Sequence, residues 1–413
     1  MTYPPWVTSI VDTPKSGNNF STFRFFLTGT IWPCASGKTN KTRYSWNSPW
    51  SGSLEKAQRN ISSEGKRVVG VNALDLASGK KIAIKAGATI MCAGVWSDQL
   101  HERFDLTPGY NVTMSKGAHI VVPGSAIKSD AGIIVKTPIS VLFLIPWGDK
   151  WIVGTTDTPY EGDRAEPCAT REDVQYILDQ ANRVLEPKLR AEDIIGVYAG
   201  LRPLVANNKS ATTTKLSREH TVDRPAAGFV SIAGGKYTTY RVMAKDVVDR
   251  AAIELRRLTQ ESVTEKLPLV GADGYFALEQ QKERIAQESG LDVATVTHLL
   301  NRHGSLISEI LDLITRQPKL AGRLDGDLPY IKAEIVYAAS HEGARSVDDV
   351  ISRRTRLSFE AVNHGVNLAD EIATLIAPVL GWSAKERKES IAQYTELVER
   401  EIAALDELLE VNS

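Results

Sequence analysis

Cysteine is scarce in this 413-residue sequence: Cys34, Cys92 and Cys168 are odd in number and far apart. Such a set excludes a disulfide framework and a clustered zinc site, and it fits a reducing compartment. Charge of one sign is also missing, with 49 Lys and Arg against 50 Asp and Glu. A formal net charge of −1 offers no electrostatic footprint for nucleic acid or another polyanion. No apolar run reaches the ~18 residues that span a bilayer, and no secretory signal is found. The longest apolar stretch, Ile139 to Trp147, is of strand length. His298, His303, His341 and His364 lack zinc-ligand spacing, so structural roles are expected for them and no metal. These absences predict a cytosolic protein, or at most one peripheral on a membrane.

What is present divides the chain in three. Residues 1–60 carry 16 Ser and Thr, four of the eight Trp and only two acids, Asp12 and Glu55. No helix or strand periodicity persists there, and an atypical, disordered segment is expected. Ser36-Gly37-Lys38-Thr39 has the ending of a phosphate-binding P-loop, but that motif needs glycine where Trp32 stands. Residues 61–267 read as strands punctuated by glycine. Arg67–Val71 and Ile82–Ile84 form a hairpin, and a buried strand from Ala88 ends in a glycine turn before Ser97. Further strands are expected near His119–Val122, Ile133–Val135, Val141–Ile145, Trp151–Gly154, Val197–Leu201 and Val230–Ala233. One helix, Arg171 to Leu185, opens with Thr170 and Asp173 as a variant capping box. Residues 268–413 read as an all-helical domain, with helices over 295–314, 332–339, 347–355, 359–380 and 385–411. Within it, Arg353, Arg354 and Arg356 are either a solvated helix face or a docking patch for an acidic partner.

The stretch richest in chemical signal is Ala233-Gly234-Gly235-Lys236-Tyr237-Thr238-Thr239. An apolar strand runs into two glycines, a lysine and hydroxyls, and a long amphipathic segment follows. Backbone N–H groups left unpaired at a helix start attract anions. An ordinary strand-to-helix turn has the same form. Four other segments set polar residues beside glycines or at strand ends: Lys116 to His119, Gly154 to Asp157, Gly200 to Leu204 and Ser217 to His220. Arg202, Arg218 and Lys236 supply three cations and His119 an imidazole, enough to clamp a phosphate and remove a proton. Singly, each has a plain alternative: Arg202 in a surface ion pair, His119 satisfied within a strand, Asp157 forming a turn.

Taken in order, the runs CAGVWSD, KGAHIVVP, IPWGDKWIVGTTDTPYEGD, YAGLRPLV, SREHTV and GGKYTTYRVMAKDVVD closely resemble the FAD-dependent glycerol-3-phosphate dehydrogenases. RHGS near His303 and YAASHEGARSVDDVISRRTRL extend the resemblance into the helical tail. It implies an α/β fold, mixed with α+β, of the glycine and D-amino-acid oxidase type, incomplete at its N-terminus and followed by a helical C-terminal domain. It implies FAD as cofactor, sn-glycerol 3-phosphate as substrate and quinone as electron acceptor. Peripheral contact with the inner face of the cell membrane belongs to the same picture, which also leaves room for a homodimer. Carried over by motif, Arg202 is the main substrate clamp and Arg218 assists it. Lys236 lies near flavin and substrate, and His119 is the base for the C2 hydroxyl. Gly94 and Trp96 line the cofactor, as do Gly234, Gly235, Tyr237 and Thr238.

Two departures stand against that resemblance. No G-x-G-x-x-G occurs, and the only glycines before Gly65 are Gly17, Gly29, Gly37 and Gly52. A strand–glycine loop–helix unit of about 30 residues normally grips the dinucleotide pyrophosphate. Met91-Cys92-Ala93 also stands where the family carries an Asn-Ala-Thr-like run, a milder change. The expectation is weak FAD binding, or none, by this chain alone. The rival functions are a truncated non-catalytic remnant and an oxidase of the same fold that uses O2.

Overall fold

The computed structural model describes residues 6–10, 26–27, 30–31, 61–75, 79–138, 140–206, 219–255, 260–326 and 328–412. Most of the segment expected to be disordered, and Arg218, lie outside the described residues.

Asn111–Pro123 is the spine of a six-stranded sheet. Along one edge it pairs antiparallel with Gly196–Ala206 over its whole length. Along the other it pairs first with Thr158–Pro159 and then with Lys150–Gly154. Val141–Trp147 and Ile133–Lys136 extend the sheet outward from Lys150–Gly154. Side chains alternate across a strand, so Ala118, Ile120 and Val122 share one face. That face buries Leu142, Leu144, Trp151 and Val153 against Val174, Ile177, Leu178 and Ala181 of the helix Arg171–Ala181. Ser115, Gly117, His119 and Val121 point the other way. The capping box forms as the sequence implies: Asp173 N donates to Thr170 Oγ1 at 3.3 Å, and Thr170 N donates to Asp173 Oδ2 at 2.9 Å.

A second, four-stranded sheet has Ala88–Cys92 inside it, antiparallel to Trp6–Ile10 and parallel to Phe229–Gly234. His220–Ala226 closes its far edge. The helix Tyr240–Glu254 lays Val247 and Ala251 on Ala88, Ile90, Val230 and Ile232. Each fully buried Val or Ile contributes roughly 1.5–3 kcal/mol, so a charge at Val247 would detach this helix. A three-stranded sheet of Ile61–Glu64, Arg67–Asp75 and Lys80–Lys85 adds one strand to the expected hairpin.

From Tyr275 onward the regular elements are helical. Two long helices read from periodicity are broken. Residues 295–314 form Val293–His303 and Ile307–Arg316, separated at Gly304 (φ 57°), where a Cβ would lie 2.0 Å from Gly271 O. Residues 359–380 form Leu357–Glu360 and Ala369–Leu380, with Asn363, His364 and Gly365 all left-handed between them. Apolar period alone does not reveal either break, because both flanks keep the same buried face. Residues 349–354 are π-helical, where an α-helix is expected.

The arginine cluster of this region is mostly engaged internally. Arg353 pairs with Asp348 and Asp349, and Arg354 Nε donates to Glu342 O at 2.8 Å. Ala384–Asn412 ties the two halves of the molecule together. Its Tyr394 and Val398 lie in the helical core, and its Ala404 reaches the core beneath the six-stranded sheet.

Candidate active site

Arg202 sits opposite Ser115 in the strand register. Its Nη2 donates to Thr155 Oγ1 at 2.9 Å and its Nη1 to Thr156 O at 3.2 Å. Asp157 Oδ1 stands 3.7 Å from Nη1. Thr155 to Asp157 is the short loop between the two strands that share one edge of Asn111–Pro123, and the spine strand holds it in turn. Ala118 N donates to Thr156 Oγ1 at 2.9 Å, and Ser115 Oγ donates to Asp157. The guanidinium is therefore set by a wall of oxygens behind it while its side chain stays 31% exposed. Only glycine at 117 permits this, since a Cβ there would lie 2.4 Å from Arg202 Nη2.

His119 lies two residues along the same face. A Cβ at Gly154 would fall 2.3 Å from its Cδ2, so the imidazole lies against that glycine. Tyr198, its register partner, stacks on the ring with centroids 4.8 Å apart and planes 10° from parallel. Burial, and after it the Arg202 charge, pushes the His119 pKa down to about 3. The imidazole is thus neutral at neutral pH, the form that accepts a proton. Lys116 faces away from this site. Its Nζ meets Asp173 Oδ2 at 2.6 Å, with both side chains under a tenth exposed, and it locks the helix Arg171–Ala181 to the sheet.

The other half of the site comes from the four-stranded sheet. Ala88–Cys92 and Phe229–Gly234 are adjacent and parallel, with Val230 beside Ile90 and Ser231 beside Met91. Both therefore end in glycine turns on the same side, Gly94 after one and Gly234-Gly235 at the other. The crevice beyond the carboxyl ends of parallel strands is where α/β sheets take nucleotides. Gly94 has φ 54°, and no heavy atom lies within 4 Å of where a Cβ would stand, which leaves its backbone open to close approach. Gly234 and Gly235 have φ 75° and 83°, backbone that favours glycine. Arg164 braces the first turn, donating to Val95 O at 2.6 Å and to both oxygens of Asp98 at 2.5 and 3.1 Å.

Both turns pack against the end of the strand that carries Arg202. Val95 and Trp96 pack on Met114 and Leu201, one residue before the arginine. Ala233 packs with Val205, three residues after it. Lys236, Tyr237 and Thr238 follow the second turn and are exposed, Tyr237 to 83%. The arrangement offers a held cation and a neutral imidazole on the six-stranded sheet, and two glycine turns, the first of them open, at the end of the four-stranded one.

Comparison with known proteins matches residues 54–250 to the FAD dependent oxidoreductase family and residues 262–387 to the C-terminal domain of alpha-glycerophosphate oxidase. The chain is 46% identical to glycerol-3-phosphate dehydrogenase 2 of Mycobacterium bovis over 82% of its own length and 58% of the relative's. It is 32% identical to the mitochondrial glycerol-3-phosphate dehydrogenase of Mus musculus, over 80% of this chain and 46% of that one. The crystal structure of the glycerol-3-phosphate dehydrogenase from Bacillus halodurans complexed with FAD superposes with a TM-score of 0.71 at 26% identity, covering 84% of this chain and 68% of that one. The chain belongs to the FAD-dependent glycerol-3-phosphate dehydrogenase family. It spans little more than half the length of the mycobacterial relative.

Of the site residues this family resemblance implies, the structure brings His119 and Arg202 together on neighbouring strands. It sets Gly94, Trp96, Gly234 and Gly235 at the turns after two adjacent parallel strands, with Lys236, Tyr237 and Thr238 exposed beyond the second. Thr155 and Thr156 contact Arg202, Tyr198 contacts His119 and Ser115 holds Asp157, although the motifs alone assign them no role. Ser115 had one available signal, its place two residues before Gly117 and four before His119 on one strand face. Tyr198 had none, because strand register between distant segments is invisible without the fold.

Proposed function

We propose that this chain forms the substrate wall and part of the flavin site of an enzyme oxidising sn-glycerol 3-phosphate to dihydroxyacetone phosphate. The observation that carries this reading is Arg202, held by Thr155, Thr156 and Asp157 beside neutral His119. On this reading the Arg202 guanidinium takes the phosphate in a bidentate contact, and Arg218 adds a second cation. His119 takes the proton of the C2 hydroxyl. A phosphate dianion on Arg202 cancels the positive charge that depresses His119, raising its proton affinity as substrate binds. Lys236 and the N–H groups after Gly235 face the flavin side, where fixed positive potential favours an anionic reduced ring. FAD, when bound, accepts the hydride from C2. Electrons then pass to quinone, which sets the protein at a membrane surface. Among the described residues no helix is long and apolar enough to cross one.

The test is the visible spectrum of the purified chain after incubation with excess FAD and removal of free flavin. A retained band that bleaches on adding glycerol 3-phosphate supports the reading. A colourless protein overturns it for this chain alone and leaves a non-catalytic remnant. If the band bleaches, comparing peroxide yield with quinone-analogue reduction separates dehydrogenase from oxidase.

A further inference from the structure

A histidine that moves protons is usually oriented by a hydrogen bond to its second ring nitrogen. His119 has none: its Nδ1 is buried without a partner. Its orientation must therefore come from ring packing. One side of the ring is bounded by Gly154, where even a Cβ would not fit. The other is covered by Tyr198. Tyr198 in turn is met edge-on by Phe359, with centroids 4.8 Å apart and planes at 71°. Edge-to-face pairs of this kind are worth about 0.5–1.5 kcal/mol beyond the area they bury.

Phe359 does not belong to the sheets. It lies in the short helix Leu357–Glu360 of the helical region. The segment around it docks on the six-stranded sheet at two further points. Arg356 lies over Trp147, with its guanidinium carbon 4.5 Å from the ring centroid. The His364 imidazole comes within 4.0 Å of where a Cβ on Gly196 would be. Strand register puts Gly196 opposite Val121 and Tyr198 opposite His119, and Trp147 pairs with Lys150, itself opposite Pro123. Val121, His119 and Pro123 share a face by alternation, so all three contacts fall on the face that bears His119.

We propose that Phe359 is a positioning residue for His119, acting through Tyr198, so that the helical region sets the orientation and dryness of the imidazole. This rests on the reading of His119 as the base. Among the described residues, the charged and titratable groups around the ring are Arg202 on the sheet, itself paired with Asp157, and Tyr198, whose phenol burial pushes up to about 12. From the helical segment, Arg356 is engaged on Trp147, and Glu360 accepts from Tyr330 OH at 2.9 Å. What the segment contributes at Tyr198 is an apolar edge, not a charge. Without that edge Tyr198 can swing away, water reaches the imidazole, and the burial that keeps it neutral is relieved.

The experiment is a pH titration of the histidine ring resonances in the full chain, from pH 5 to 8, using ring-labelled protein and no flavin. In the parent His119 stays neutral throughout. In Phe359→Ala it is expected to enter the window, moving up by at least about two pH units as its environment approaches that of a free histidine. Phe359→Tyr keeps an aromatic edge and restores the parent behaviour. If Phe359→Ala does not fold, Tyr198→Leu removes the stack from within the sheet and is expected to give the same shift, while Tyr198→Phe gives none. A His119 that stays neutral in Phe359→Ala and Tyr198→Leu alike overturns the proposal. Flavin bleaching is read separately, so a chain that never takes up flavin removes the functional reading without altering the titration. Where turnover is present, Phe359→Ala is expected to lower kcat by about 10- to 100-fold with KM little changed.

Discussion

Gly117 and Arg202 lie on neighbouring antiparallel strands, and the space above the glycine is occupied by the arginine's guanidinium. A Cβ at position 117 would stand 2.4 Å from Nη2, 2.7 Å from Nη1 and 2.5 Å from Thr155 Oγ1. The clashing atoms are the ends of mobile side chains, not backbone. Gly117→Ala should therefore fold, within about 1 kcal/mol of the parent, yet push the guanidinium off its oxygen wall. The expected result is about a 10- to 100-fold loss of affinity for inorganic phosphate or glycerol 3-phosphate, comparable to losing a charged hydrogen bond. Calorimetric titration checks it, and unchanged affinity would remove Arg202 as the anion clamp.

His119 makes stability depend on pH in a definite direction. Its folded pKa, about 3, lies below the roughly 6.5 of an unfolded histidine. Between those values the unfolded chain binds more protons than the folded one. The contribution is complete above pH 6.5 and is lost as pH falls toward 3. His101, depressed chiefly by burial, acts in the same sense. His119→Gln should flatten the fall in unfolding free energy between pH 6.5 and 4, measured by urea denaturation at several pH values. An unchanged slope would mean that His119 is already protonated in the native state.

Arg164 binds three acceptors in and just after the turn that follows Gly94: Val95 O and both Asp98 oxygens. Arg164→Ala should free that turn while leaving the six-stranded sheet intact. Amide exchange at Val95 to Leu100 is expected to quicken about tenfold or more, as the loss of a charge-assisted clamp of about 1.5 kcal/mol implies. Exchange that quickens equally across the sheet would instead indicate global destabilisation.

Glu334 is the buried anion of the helical region, 2% exposed. It accepts from Ile331 N at 2.9 Å, His298 Nε2 at 3.0 Å and His303 Nε2 at 3.3 Å. Burial opposes its charge, but the two histidines prevail and hold its pKa down to about 2. Glu334→Ala strands the buried donors and should cost about 3–5 kcal/mol. For the parent, this carboxylate's contribution is complete above its ordinary pKa, near 4.5, and declines as pH falls toward 2. Thermal unfolding of the variant at pH 7 measures the cost, and a loss below about 1 kcal/mol would show that the histidines find other partners.

Elements with strong local grammar were readable in advance. The Thr170–Asp173 cap is an example, because capping depends on neighbours three residues apart. So were the period-2 strands and the amphipathic helix Tyr240–Glu254. The breaks at Gly304 and at His364 were not, since each is enforced by a contact with a distant segment. Lys116 shows the same limit within the site: in the sequence it is one more cation beside Gly117 and His119, and only the fold commits it to Asp173 on the far side of the sheet.

Sequence by itself determined the family, through ordered local runs whose wording survives without coordinates, and it singled out His119 and Arg202 as chemistry. Tertiary structure decided which oxygens hold Arg202 and that Lys116 is committed to a buried ion pair. It decided that two glycine turns 140 residues apart follow adjacent parallel strands, and that a phenylalanine of the helical region reaches the imidazole's neighbour. The physical reason is range. Propensity, capping and alternation act over a few residues, whereas burial, strand register and ring packing depend on segments that only folding brings together.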